Sequence, residues 1–497
     1  MGGGGPTRRP ALVKPRHRGS KPRGGRRQEP SPRTTRLPES VALVAIDRIA
    51  AGGDGVGRVN GMVLFVPRTA PGDVVQSAYV THARHGRGRV LQVVQASPDR
   101  VEPACPHYVV DRCGGCQLQH LSAEAQRAAR QHIVQETLRR IGKREVPLPP
   151  LVSDVQWHYR SRLTLTLLPR GAGWVGGLHP YDDASRVFSL ETCHIAHPTL
   201  VEVWNALRLL VRNNVPALPV PSLAPSLRLG LRLAAGEAVG VGGAGDGVVL
   251  VIEGGRDWPS RDEWTAAART LHPAVRAVWW TPERVAPDGT PRSSPGAALP
   301  VAPVEAYAPD GREALAFAQV NETVARALRE FVYAQVTGFV PAQVIDGYAG
   351  TGDLSLRLAL NGVEVVAIEA DPAGSESASR KMQEAGGTVP ARVRVVCELM
   401  ERALPSLGES ARRTDVVVLN PPRRGVHADV TAWLESPASR GVRGVVYVSC
   451  DPATLARDLA RLPSWRVETV QCFDMFPQTA HVETVCVLHR SASQEER

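Results

Sequence analysis

The chain has 497 residues, enough for two to four domains each with its own core, and a formal net charge of +10. It contains no apolar run of about 18 residues, which excludes a membrane-spanning helix, and its charged, proline-rich N-terminus is not a secretory signal. The charge is unevenly placed: residues 1–40 carry eleven Lys/Arg against Glu29 and Glu39, or +9, and everything after them carries +1.

Taken in chain order, residues 1–40 are rich in Gly, Pro and Arg and cannot bury a core, so a disordered basic tail is expected, able to hold RNA phosphates electrostatically. Only four lysines stand against 55 arginines over the whole chain, a bias that weakens this reading of the tail. Residues 41–100 hold short β-rich runs (41–46, 61–67, 73–80 and 87–94) separated by glycine-rich turns such as Gly52-Gly53-Asp54-Gly55. This predicts a small OB-like barrel. Arg84, Arg87 and Arg89, with His82 and His85 nearby, could face a nucleic acid.

Residues 101–312 read as a mixed α+β central domain. It opens with Cys105, Cys113 and Cys116 in C-x7-C-x2-C spacing, and Cys193 follows far downstream. Four such cysteines without an even disulfide framework predict a closed four-sulfur metal site in a reducing compartment; Zn²⁺ and [4Fe–4S] both accept four thiolates. Ser122 to Ile141 reads as a helix with a serine start and a Gly142 stop, and residues 286–303 as a loop. Tyr159-Arg160-Ser161-Arg162 leads a strand through Leu167.

Residues 313–490 predict a doubly wound α/β domain, followed by a short tail at 491–497. Val344 to Gly352 is a strand entering a glycine turn, with a helix from Leu354 to Leu360. A second strand, 363–368, ends at Glu369, about 20 residues beyond the turn, a spacing that suits hydrogen bonds to ribose hydroxyls. This alone does not separate a dinucleotide site from one for S-adenosylmethionine (SAM). A third strand, 415–419, runs into Asn420-Pro421-Pro422-Arg423, and a fourth, 444–448, ends just before Cys450. Glu483 closes a segment broken by Pro477, which predicts a loop at a sheet edge. A thiol and a separate carboxylate suit attack on an electron-poor ring followed by removal of a ring proton. Cys397, Cys472 and Cys486 lie in apolar β-like runs and are expected in the core.

Ser449-Cys450 and Phe473-Asp474-Met475-Phe476-Pro477-Gln478-Thr479-Ala480-His481-Val482-Glu483 resemble the C-terminal signature of the RNA uracil-5-methyltransferases. Gly55-Val56-Gly57-Arg58, Phe65-Val66-Pro67 and Pro71-Gly72-Asp73 resemble the TRAM module, an RNA-binding barrel. Cys113-Gly114-Gly115-Cys116-Gln117-Leu118-Gln119-His120, with Cys105-Pro106-His107 and Cys193-His194, resembles the iron–sulfur members that act on 23S ribosomal RNA. The resemblance runs from residue 41 nearly to the end. It implies a Rossmann-like SAM methyltransferase domain, a [4Fe–4S] cluster on Cys105, Cys113, Cys116 and Cys193, and a cytoplasmic monomer that binds RNA. It further implies Cys450 as nucleophile, Glu483 as general base, Arg160 reaching the target base, and SAM contacts from Gln319 (within Phe317-Ala318-Gln319-Val320-Asn321), Tyr348, Gly350, Gly352, Glu369 and Asn420. The family pattern is Asp-Pro-Pro-Arg, so Asn420 keeps an acceptor and loses a charge. The sequence leaves open the same chemistry on transfer RNA, cytosine-C5 methylation (which usually shows Pro-Cys), and a catalytically idle RNA-binding or assembly factor.

Overall fold

The structure, a computed structural model, describes residues 1–2, 40–222, 224–234, 247–285, 291–292, 299–300, 319–408 and 412–491. Residues 3–39 of the basic tail, Phe317 and Ala318 of the segment before Asn321, and residues 492–497 lie outside them. Ser40–Arg497 forms one compact unit.

Five short strands, β1 (Ser40–Ile49), β2 (Gly55–Val59), β3 (Met62–Val66), β4 (Val74–Thr81) and β5 (Gly86–Gln95), close into a barrel in the order β1-β2-β3-β5-β4. Period-two alternation drives it: on β1, Val44 and Ile46 turn inward to meet Leu64, Val66 and Val75, while Val41 and Leu43 face solvent. Arg84, Arg87 and Arg89 are all exposed, and Arg87 lies 3.5 Å from Asp54.

The cysteine segment leads into the helix Ala123–Arg140, which Ser122 caps by accepting from the Ala125 N–H at 3.2 Å. Next comes β6 (Leu151–Val152), and then β7 (Arg162–Arg170), β8 (Gly173–Leu178), β9 (Phe188–Ser189), β10 (Leu227–Leu233), β11 (Val248–Glu253), β12 (Val275–Thr281), the pair β13 (Arg284–Val285) and β14 (Pro291–Arg292), and β15 (Leu299–Pro300). Seven of these form a sheet in the order β15-β12-β11-β10-β7-β8-β9. Its core joins inward leucines of β7 and β10 and Trp280 of β12 to Trp204, Trp258 and Trp264 from two helices and the approach to one of them. The expected loop at 286–303 thus contains two short paired pieces, β14 and β15.

The C-terminal sheet contains β16 (Gln343–Gly347), β17 (Glu364–Glu369), β18 (Val393–Cys397), β19 (Val416–Leu419), β20 (Gly444–Ser449), β21 (Trp465–Phe473) and β22 (Glu483–Arg490). The order is β18-β17-β16-β19-β20-β22-β21-β6. The first five are parallel; β22 runs antiparallel between β20 and β21. Fully buried runs such as Val416-Val417-Val418-Leu419 are what a parallel strand covered on both faces requires. The strand order reverses between β16 and β19, and a crevice at the carboxyl ends of such strands is where ligands bind. The helix Ala123–Arg140 belongs to this part of the core: its Val134 and Leu138 pack with Leu455, Ala456 and Leu459.

Two expectations are corrected here. The segment ending at Glu483 is not at a sheet edge, because β21 and the distant β6 extend the sheet beyond β22 and make it an interior strand. Cys397 is exposed, not core, since it ends the edge strand β18; Cys472 and Cys486 are buried.

Candidate active site

The glycine turn is built by backbone demands. Tyr348, Gly350 and Gly352 all have positive φ (62°, 57° and 75°), and Gly352 caps the helix Asp353–Leu360. A β-carbon on Gly352 would stand 3.0 Å from both Ala378 and Met382, so the helix could not lie this close with a larger residue. Glu369, at the end of β17, accepts the Gly350 N–H at 2.8 Å and the Asp371 N–H at 2.7 Å. Its carboxylate therefore ties the turn down and keeps lone pairs for a further donor. Below the turn, buried Asp346 accepts from the Ser355 hydroxyl at 2.6 Å, and burial pushes its carboxyl up to about 6. Burial likewise pushes the Tyr348 phenol up to about 12. Asn420 is exposed at the end of β19, and its N–H donates to the Gly347 carbonyl at 3.3 Å, which sets it beside the turn. Gln319 is half-buried near the Asn321 cap of the helix Glu322–Gly338, and it has no hydrogen bond to the glycine turn among the described residues.

Cys450 follows β20, half-buried, and Asp451 then caps the helix Pro452–Leu459 through the N–H groups of Ala453 (2.8 Å) and Thr454 (3.1 Å). Ser449 pairs with Thr484 across the β20–β22 ladder, so the next step outward sets Cys450 against Glu483. The two groups feel each other. Burial first, then the Glu483 charge, raise the Cys450 thiol, while Arg423 lowers it. Burial pushes the Glu483 carboxyl up to about 7, and Arg423 opposes that shift. A half-buried thiol beside a carboxylate poised near neutrality can serve as nucleophile and base.

Arg423 had no role in the sequence reading. Its loop is held by buried Asp458, which accepts the Tyr447 hydroxyl at 2.8 Å and the Val426 N–H at 3.0 Å, while Arg457 donates to the Arg424 carbonyl at 2.8 Å. The segment before Glu483 is likewise held by groups that the sequence reading missed. Arg130 and Asp474 form an ion pair at 2.6 Å with both side chains 0% exposed. Gln126 and Gln478 exchange hydrogen bonds at 2.9 and 3.1 Å. The signal was present: Gln126 and Arg130 share the buried face of their helix with Ile133 and Val134, and polar groups on such a face need partners. Arg160 is half-buried beside β7, donates to the Arg162 carbonyl at 3.1 Å, and acts electrostatically on His481. Its neighbour Tyr159 donates from its hydroxyl to the Pro477 carbonyl at 3.0 Å.

Cys105, Cys113 and Cys116 are buried and Cys193 is half-buried. Cys105, Cys116 and Cys193 share one cluster with Tyr108, Tyr159 and Ile195, and Cys193 also packs on the cluster that contains Cys113. Burial raises Cys113 to about 11 and also raises Cys116 and Cys193, each further raised by its fellow thiols. Among the described residues, however, no three His, Cys, Asp or Glu side chains stand in metal-ligating geometry. The metal-site expectation is therefore not supported by the described residues, in which these cysteines share only an apolar neighbourhood.

A sequence profile described as tRNA (uracil-5-)-methyltransferase matches residues 312–491. An uncharacterised RNA methyltransferase of Halalkalibacterium halodurans is 32% identical over 90% of this chain and 96% of its own. The chain belongs to the RNA uracil-C5-methyltransferase family. Another relative, the 23S rRNA (uracil(1939)-C(5))-methyltransferase RlmD of Thiobacillus denitrificans, is 29% identical over 88% of this chain and 97% of its own. The crystal structure of Pyrococcus abyssi tRNA (uracil-54, C5)-methyltransferase in complex with S-adenosyl-L-homocysteine matches the fold with a TM-score of 0.59. It is 22% identical and covers 90% of this chain and all of that one. Among the described residues no helix is long and apolar enough to cross a membrane.

Proposed function

We propose that this protein is a SAM-dependent methyltransferase that forms 5-methyluridine in RNA, with 23S ribosomal RNA as its substrate. The observation that carries the reading is the register of β20 against β22, which brings Cys450 and Glu483 together at one end of the sheet beside Arg423. Uracil C5 is a poor nucleophile. The Cys450 thiolate adds to C6 and moves the ring electrons onto an enolate, which makes C5 nucleophilic. S-adenosylmethionine, when bound, supplies the methyl group; Tyr348, Gly350, Gly352, Glu369, Asn420 and Gln319 would hold it. The Glu483 carboxylate then takes the C5 proton, and Cys450 leaves as thiolate by β-elimination. Arg423 favours the thiolate form and Arg160 meets the base. The barrel, a TRAM-like module, holds RNA through Arg84, Arg87 and Arg89.

The four cysteines are proposed to hold a [4Fe–4S] cluster that orders their segment and takes no part in methyl transfer. Cys105, Cys116 and Cys193 share one cluster and Cys193 also packs on that of Cys113; neighbouring thiols oppose the ionisation of Cys113, Cys116 and Cys193, a repulsion that a cationic iron centre would offset. Protein purified anaerobically should contain iron and acid-labile sulfide at about four each; stoichiometric zinc without sulfide overturns the cluster.

The catalytic reading is tested with methyl-labelled SAM and either 23S ribosomal RNA or transfer RNA. The wild type should label the ribosomal RNA. Cys450→Ala should bind RNA and form no covalent adduct, and Glu483→Gln should accumulate a methyl-bearing protein–RNA species that survives denaturing electrophoresis. Label in transfer RNA alone reassigns the substrate, and an adduct with the Cys450 variant overturns the roles.

A further inference from the structure

Nine residues, Asp474 to Val482, connect β21 to Glu483, and they are fastened from three separate parts of the chain. From the cysteine segment, the N–H groups of Gln117 and Leu118 both donate to the Gln478 carbonyl, at 3.1 and 3.0 Å. From the helix Ala123–Arg140, Gln126 Nε2 donates to Gln478 Oε1 at 2.9 Å, and Gln126 Oε1 accepts the Gln478 N–H at 3.1 Å. Arg130 pairs with Asp474 and donates to the Thr479 carbonyl at 2.8 Å. From the strand leading into β7, Tyr159 holds the Pro477 carbonyl. At the centre, Gln478 sits at φ +70°, an unusual conformation for a side chain of this size, held by its bonds to Gln117, Leu118 and Gln126.

We infer that Gln126 and Gln478 are positioning residues: their reciprocal amide pair, together with the Arg130–Asp474 ion pair, sets where β22 begins and so keeps the Glu483 carboxylate buried beside Cys450. This rests on the reading of Glu483 as the base. Fastening a loop needs no buried charge or amide, since apolar side chains of similar volume would serve stability as well. What polar partners add is one permitted geometry, because any shift leaves a buried donor or acceptor unpaired. Here that geometry ends five residues later at a carboxylate whose protonation depends on exclusion of water. The charged and titratable groups acting on Glu483 and Cys450 are Arg423, Asp451 and each other. The same bonds make the loop the route by which order in the cysteine segment reaches the base.

The test is the pH–rate profile and kinetics of Gln126→Ala and Gln126→Glu in the full chain, beside wild type and Glu483→Gln. Gln126→Ala should lower kcat by about tenfold to a hundredfold, as expected when a reacting group is displaced by about an ångström. KM for RNA and for SAM should stay unchanged. Its acid limb should fall below 7 toward the ordinary carboxylate range as water reaches Glu483, and a methyl-bearing adduct should accumulate because proton removal is slowed. Gln126→Glu, which keeps the acceptor for the Gln478 N–H but loses the donor to Gln478 Oε1 and to the Leu121 carbonyl, should also fall below the wild-type rate, with the same shift of the acid limb. Should Gln126→Ala fail to fold, Gln126→Met refills the volume and is read in the same way. An acid limb identical to wild type, or a loss of activity that follows soluble yield alone, overturns the proposal. A wild type that transfers no methyl group, or a Glu483→Gln variant that forms no adduct, overturns the reading beneath it.

Discussion

Asp474 and Glu483 stand at the two ends of one loop, equally hidden (0% and 5% exposed), and in opposite company. Asp474 meets a guanidinium at 2.6 Å that is itself fully buried; burial pushes the carboxyl up and the guanidinium down, and each group's charge opposes the shift of the other. Glu483 has no such bonded partner among the described residues; burial dominates, and its carboxyl rises to about 7 with Arg423 as counterweight. Burial by itself therefore does not make a buried carboxylate reactive. A carboxylate locked to a cation holds structure, and one left without a bonded partner is free to exchange a proton at neutral pH.

The sharpest way to break this contrast is to exchange the costs. Arg130→Met leaves the Asp474 charge buried without its partner and should lower unfolding free energy by about 3–5 kcal/mol, read by urea unfolding. Adding Asp474→Leu should restore most of it, since an apolar pair of similar volume removes both desolvation costs. Glu483→Gln should leave urea stability at neutral pH undiminished while lowering turnover by roughly 10²–10⁴-fold, the usual worth of a general base. Were Arg130→Met as stable as wild type, Asp474 would be neutral in the folded protein and the contrast would fail.

How much of this could be read from the sequence follows the same division. The barrel strands, the parallel strands 343–347, 364–369, 416–419 and 444–449, the glycine turn and the helix from Ser122 were legible, because each depends on alternation, β-branching or caps within its own few residues. So was Cys450 at a strand end. Glu483 was identified as a residue but placed at an edge, because its neighbours in the sheet come from β20, β21 and, beyond them, Leu151–Val152, more than 300 residues upstream. Cys397 and Cys472 sit in similar apolar runs, yet one ends an edge strand and the other lies within an interior one, and only sheet order separates them. Arg130, Gln126 and Asp458 were missed for the same reason: a buried polar side chain is intelligible only with its partner, and these partners lie 11 to 352 residues away.

A smaller effect sharpens the comparison through pH. The folded Glu483 carboxyl, at about 7, lies above its ordinary value of 4.5, so the folded state holds the proton more tightly than the unfolded chain does. The contribution to stability is then complete below about pH 4.5 and is lost as pH rises through 7, because the folded protein must ionise a buried group that the unfolded chain ionises freely. Glu483→Gln does not ionise and escapes this loss. The difference in unfolding free energy between Glu483→Gln and wild type should be constant at low pH, grow in favour of the variant between about pH 4.5 and 7, and level off above, with a total gain of about 3 kcal/mol. Cys450→Ala should follow the wild-type curve throughout that window, since the thiol lies above its ordinary value of 9 and is neutral there. Parallel wild-type and Glu483→Gln curves from pH 4 to 8 would show that Glu483 titrates as an exposed carboxylate does, and with that the distinction between the two ends of the loop would disappear.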